Sequence, residues 1–143
     1  MDAPTRVAAY FVDLIERCNR SSTGRPTSLP QNDQYIFYVL AVRCEIDMSG
    51  FESVFDQLLD ETEINILITA LNVIGCVTLA DSFLIARDRL AAAGFFDEEE
   101  MMVSDLATGN LGFLDDIEDS IGNSNLFWQL DESLAKLLPY AAK

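Results

Sequence analysis

From Ile64 to Ala80 the chain reads INILITALNVIGCVTLA, seventeen residues without a charge. Nothing else in the sequence restricts the fold as strongly. A stretch this apolar has to leave water, yet it is short for a bilayer span and carries two Asn, two Thr and a Gly. The expected solution is a buried helix followed by a turn at Gly75. Asp60 with Glu63 three residues on supplies a capping box ahead of it, and both acids suit the positive end of a helix dipole. Ile64, Leu67, Ile68, Leu71 and Ile74 line one face. Ile66, Ala70 and Val73 widen it, so this helix is expected to be the central one, buried on most sides.

The same grammar extends in both directions. Val7, Tyr10, Phe11, Leu14, Ile15 and Cys18 repeat at i, i+3, i+4 and predict an amphipathic helix over about Thr5 to Cys18. NRSSTGRPTSLPQND reads as a linker, with Arg17, Arg20 and Arg25 close by. Ser28 is the expected cap of the next helix, with Pro30 in its first turn and Gln31 at the capping-box position. QYIFYVLAVRCEIDM is rich in β-branched and aromatic residues, so Tyr35 to Val42 could be a strand. It lacks strict alternation and has no partner strand, which favours helix. Ser49-Gly50 ends or bends it, and Phe51, Val54, Phe55, Leu58 and Leu59 form the next apolar face, with Glu52 and Asp56 outward.

Thr78 with Asp81 is a further capping signal. Leu79, Phe83, Leu84 and Leu90 are expected inward on the helix it starts, with Gly94 after its end. Asp97 is the expected cap of another helix, with Glu98 to Glu100 in its first turn and Gly109 beyond it. NLGFLDDIEDSIGNSN reads as a short acidic stretch broken by Gly and Asn. LFWQLDESLAKLLPY predicts a last helix, with Leu126, Leu130, Leu134 and Leu137 or Leu138 inward. No strand pattern survives and no repeat is present. The expected fold is all-α, a single compact bundle of about six or seven helices. Its 143 residues form one domain, with 1–34 as N-terminal helix plus linker and 35–143 as the core.

Charge narrows the function. There are 24 acids against 9 bases, a net −15. Such a charge repels nucleic acid and anionic membranes and favours a basic protein surface as partner. The absence of histidine removes the commonest general base, the Ser-His and Cys-His nucleophile pairs and the commonest metal ligand. Cys18, Cys44 and Cys76 form no C-x-x-C pair. They read as small buried hydrophobes in a reducing cytoplasm, with a reactive thiol as the lesser reading. The first residues lack the basic and apolar regions of a signal peptide. No glycine-rich phosphate loop occurs. The Asp115–Asp119 run misses the glycine and glutamate positions of an EF-hand loop, so neither a cofactor nor a metal is expected.

The acids are unevenly spread. Residues 97 to 132 hold eleven acids and no Lys or Arg. Capping explains Glu98, Glu99 and Glu100 but not the whole block. The candidate partner-binding residues are therefore Asp97, Glu98, Glu99, Glu100, Asp105, Asp115, Asp116, Glu118 and Asp119. An acidic solubility face is the plain alternative. Paired carboxylates could serve hydrolysis, but nothing places two in an apolar cleft, and one tryptophan, Trp128, does not make a sugar platform. No enzymatic activity is expected.

From Gly50 onward, SGFESVFDQ, ALNVIGCVTLADSFLIA, FLDDIEDSI and LAKLLPYAA occur in an order that resembles the DNA mimic protein 19-like domain family, over about Tyr35 to Ala142. That family carries a Gly-Gly-Phe loop, an aromatic helix and a helix ending Ala-Leu-x-x-Ile-Gly-Ala. Here Ser49 replaces the first loop glycine, and Gln57 stands for the usual Asn. The resemblance implies a helical architecture, an acidic protein-binding character and Gly50-Phe51 as a structural loop. It also implies masking of the DNA-binding surface of a regulator, with a homodimer compatible. Inhibition of a basic enzyme such as a nuclease, in the manner of an immunity protein or antitoxin, is the alternative.

Overall fold

The computed structural model describes residues 2–21, 24–97, 102–103, 112–124 and 126–138, and of residues 57, 113, 120–124 and 126–129 the backbone alone. The protein is all-α. Seven helices occur among the described residues and no strand: α1 (Ala3–Arg20), α2 (Gln31–Ser49), α3 (Phe51–Ser53), α4 (Glu61–Val73), α5 (Val77–Ala92), α6 (Gly112–Ser124) and α7 (Leu126–Ala135). No helix among them is long and apolar enough to cross a membrane.

Helix α1 starts two residues earlier than its periodicity indicates. Asp2 caps it, accepting the Thr5 N–H at 2.9 Å, and Pro4 occupies the first turn where its missing N–H costs nothing. Val7, Leu14 and Cys18 turn inward. Ser28 does not cap α2. It lies in a 3-10 turn, Pro26–Ser28, and its hydroxyl donates to the Arg25 carbonyl at 2.7 Å. Pro30 precedes α2 without a side-chain cap. The local turn wins because Ser hydroxyls bond neighbouring backbone as readily as a helix end.

Helix α2 is the central one, which corrects the expectation for α4. Tyr35, Ile36, Tyr38, Val39, Leu40 and Val42 are all buried, so α2 is covered almost all round. It packs against α1, α4 and the α3 corner. The run that resembled a strand is the same run that has no polar face. Helix α4 is one-sided instead: Ile64, Leu67, Ile68, Ala70 and Leu71 are buried, while Val73 is 54% exposed. Its capping box forms as expected, with the Asp60 carboxylate accepting the Glu63 N–H and the Glu63 carboxylate accepting the Asp60 N–H. Thr78 and Asp81, by contrast, form no box. They lie inside α5, which begins after Cys76 without a side-chain cap.

Between α2 and α4 the chain turns a tight corner. Gly50 has φ +96° and ψ 168°, a region open essentially to glycine alone. Helix α3 makes one turn and widens into a π-helical turn, Val54–Leu58, closed by the Leu59 N–H on the Val54 carbonyl at 3.0 Å. The wide turn lets Phe51 and Phe55 both reach Phe83 of α5, with ring centroids 5.1 and 6.4 Å away. All three rings are buried.

The acidic stretch that reads as broken is a thirteen-residue helix, α6. Helix α7 packs on α1, and Leu130, Leu134 and Leu138 enter the core that Val7 and Leu14 occupy. Cys18 is buried and Cys76 half-buried, but Cys44 is exposed, correcting the reading of all three as core residues. The α2 surface around it is solvated, with Asp47 and Met48 exposed beside it.

Candidate functional site

A helix turns about 100° per residue, so the five residues from Asp115 to Asp119 cannot all face one way. Asp115, Asp116 and Asp119 fall within one such arc and are exposed, while Leu114 is buried and Ile117 half-buried on the opposite side. Glu118 shares that inner side with Leu114 as an i, i+4 neighbour. The structure therefore separates the acidic run into an outer flank of three aspartates and one inward glutamate.

Glu118 has a structural task. Its Oε1 accepts the Phe51 N–H at 2.8 Å, satisfying a free donor at the start of α3. A Cβ placed on Gly50 would lie 2.9 Å from the same oxygen. The φ of Gly50 thus requires glycine, and a side chain there would also displace the Glu118 carboxylate. A second carboxylate works in the opposite direction: Asp56, in the π-helical turn, accepts the Val103 N–H at 2.7 Å. Asp56 is half-buried here, not outward as its position in sequence indicates. These two bonds fasten α6 and Val103 to the Gly50–Leu59 corner.

The fastening crowds acids together. The carboxyl of Glu52, outward as expected, is pushed above its ordinary value, first by partial desolvation and then by the charges of Asp56, Asp115 and Glu118. Glu52 and Asp56 are thus part of the acidic corner although neither stood among the sequence candidates. Their i, i+4 spacing beside the Gly-Phe turn was the available signal. Among the described residues, ion pairs join Arg17 to Asp13 and Asp33, Arg43 to Asp131, and Arg87 to Asp88, and none involves Asp115, Asp116 or Asp119.

Other members of the acidic block behave differently. Asp97 is exposed and closes a 3-10 turn, Phe95–Asp97, its N–H bonding the Gly94 carbonyl at 3.1 Å. Asp131 is buried and paired with Arg43 of α2 at 3.1 Å. A block that lacks bases in sequence therefore borrows one from 88 residues away. Glu98, Glu99, Glu100 and Asp105, together with the expected helix end at Gly109, lie outside the described residues. The Asp115–Asp119 run is helical, which is incompatible with a calcium loop, and no group of three potential ligands is arranged to hold a metal among the described residues.

The chain matches no family model, no curated protein and no solved structure, so the resemblance to the DNA mimic protein 19-like domain family gains no support from these comparisons.

Proposed function

We propose that this chain is an acidic protein-binding module that masks a basic surface on another protein. The observation that carries the reading is the outer flank of α6. Asp115, Asp116 and Asp119 are exposed and have no basic side chain paired with them among the described residues, and the charge of Asp115 reaches Glu52. Uncompensated charge of one sign opposes folding, so a surface that concentrates it gains most when a partner of opposite sign covers it. Asp115 and Asp119 are about 6 Å apart along the helix axis, whereas phosphates recur every ~3.4 Å of rise along one DNA strand. That spacing favours masking of a basic patch over a close copy of a phosphate row. A DNA-binding regulator and a basic nuclease both offer such patches.

The test is retention of basic proteins by the immobilised chain at low and at high salt. Retention is expected to fall steeply with salt, as charge–charge contacts require. The D115K/D116K/D119K variant is expected to lose it while keeping its helical circular dichroism. Glu118 stays unchanged, because it holds Phe51. Retention that ignores salt, or survives the three reversals, would overturn the proposal.

A further inference from the structure

A second site lies away from the acidic flank. Between α1, α2 and the Leu58–Glu63 segment lies a half-open cavity of about 260 Å³. Its walls are largely apolar, with Ile15, Phe37, Ala41 and Leu58 among them. One carboxylate, that of Glu63, stands in this lining beside the phenol of Tyr38. Two bonds fix that carboxylate. Oε1 accepts the Asp60 N–H at 3.2 Å within the capping box, and Oε2 accepts the Tyr38 hydroxyl at 2.8 Å. A carboxylate offers about four lone-pair sites, so two acceptor positions remain after both bonds are made. Each oxygen is held in place before any ligand arrives, which lowers the ordering cost of binding.

The neighbours stay neutral. Burial pushes the Cys18 thiol up, and the charge of Glu63 adds to the shift. Burial and then the bond to Glu63 push the Tyr38 phenol up. Among the described residues of the lining, Glu63 is therefore the one charged group. An apolar hollow with a single fixed negative charge fits a cation that carries its own apolar body. The volume lies below the ~300–1,000 Å³ of sites for drug-sized ligands, which limits the occupant to a small molecule.

We propose that this cavity binds a small primary alkylamine, its ammonium on Glu63 and its alkyl chain along Ile15, Phe37, Ala41 and Leu58. The ring of Phe37 supplies an apolar wall that also tolerates a nearby cation. The probe is hexylamine hydrochloride, titrated into the isotopically labelled full chain at physiological salt and followed by amide chemical shifts. Hexanol and hexanoate serve as the neutral and anionic counterparts. Saturable shifts are expected around Ile15, Phe37, Ala41 and Glu63. The amine is expected to bind about tenfold more tightly than the alcohol, the scale of a hydrogen bond to a charged group, and hexanoate not at all. Glu63→Gln keeps the capping-box geometry and is expected to bring the amine down to the level of the alcohol. Ala41→Met fills the cavity without touching the charge, and is expected to weaken amine and alcohol alike. Amine shifts confined to α6 and its surroundings would mark surface ion pairing only and overturn the proposal. An unchanged affinity in Glu63→Gln would do the same. If that variant does not fold, unchanged amine binding in Ala41→Met settles the matter against the site.

Discussion

The two ends of α2 deal with acids in opposite ways. At its start, Asp33 is buried and meets a base: Arg17 of α1 lies 3.3 Å away, and Tyr10 donates to the same carboxylate at 2.7 Å. Arg17 also bonds the Tyr10 hydroxyl, reaches Asp13, and lies 5.5 Å above the Tyr10 ring. Asp33 stands in the first turn, where the helix dipole favours it. At the far end, beyond Gly50, Glu118 and Asp56 receive backbone N–H groups instead. An amide satisfies the hydrogen-bonding demand of a carboxylate but carries no net charge. At the first end Asp33 faces a cation, whereas at the second the bond that holds Glu118 comes from an uncharged amide.

The strongest way to break this contrast is to remove the base at the first end. Arg17→Ala leaves Asp33 buried without its counter-ion. Loss of one partner from a fully buried pair costs ~3–5 kcal/mol, and because Arg17 is partly exposed the expected loss is about 2–3 kcal/mol. Urea denaturation followed by circular dichroism measures it, and a loss below about 0.5 kcal/mol would show that Asp33 does not depend on this base.

Next in size is Gly50→Ala, which forces an alanine into a glycine-only backbone region and against Glu118. The expected loss is about 1–3 kcal/mol. Combined with Glu118→Ala, the alanine at 50 should cost less than it does alone, because the oxygen it collides with is gone. Strict additivity of the two changes would separate the glycine from the glutamate and dissolve the corner as a unit.

A smaller effect is read by pH, where the α1 cap and the far corner differ in sign. Asp2, whose carboxyl is held below its ordinary value first by the bonds from Thr5, contributes stability above that value and loses it as pH falls. Glu52 has the reverse sign. Its folded carboxyl holds the proton more tightly than the unfolded chain does, so its contribution is present at low pH and fades as pH rises through the raised value. Asp115→Asn should move the Glu52 midpoint back down, as read by carbon-detected titration, while stability at neutral pH stays within about 0.5 kcal/mol. An unmoved midpoint would mean that the two carboxylates do not sense each other. Least of all, added sodium chloride should raise the thermal midpoint of the protein slightly, since screening relieves repulsion among its surplus acids.

What could be read from the sequence follows from distance along the chain. The Asp60–Glu63 box and the turns at Gly50, Gly75 and Gly94 need partners within a few residues, and each forms as the residues indicate. Val73 and Cys44 differ from expectation because an apolar side chain near a helix end is not compelled inward when its neighbours are solvated. The long-range bonds were hidden. Nothing near Phe51 announces Glu118, 67 residues later, and nothing near Asp131 announces Arg43. Even so, placing residues 114–118 on a helix puts Glu118 beside Leu114 on the inner side. The Gly and Asn that punctuate that stretch hide the helical register that splits one inward glutamate from three outward aspartates. The choice of α4 as the centre failed for a related reason. Periodicity identifies a helix with one apolar face more readily than α2, which has apolar residues on every side.

The packing of α1 against α7 also sets a timetable. Roughly a hundred residues separate the two helices. At the ~5–20 residues per second of synthesis, the inner face of α1 waits on the order of 5–20 s for that cover. Through that interval α2 is the shield within reach, with Leu14 and Val7 sharing its hydrophobic cluster. Until α7 emerges, the part of α1 that it covers stays open to chaperones.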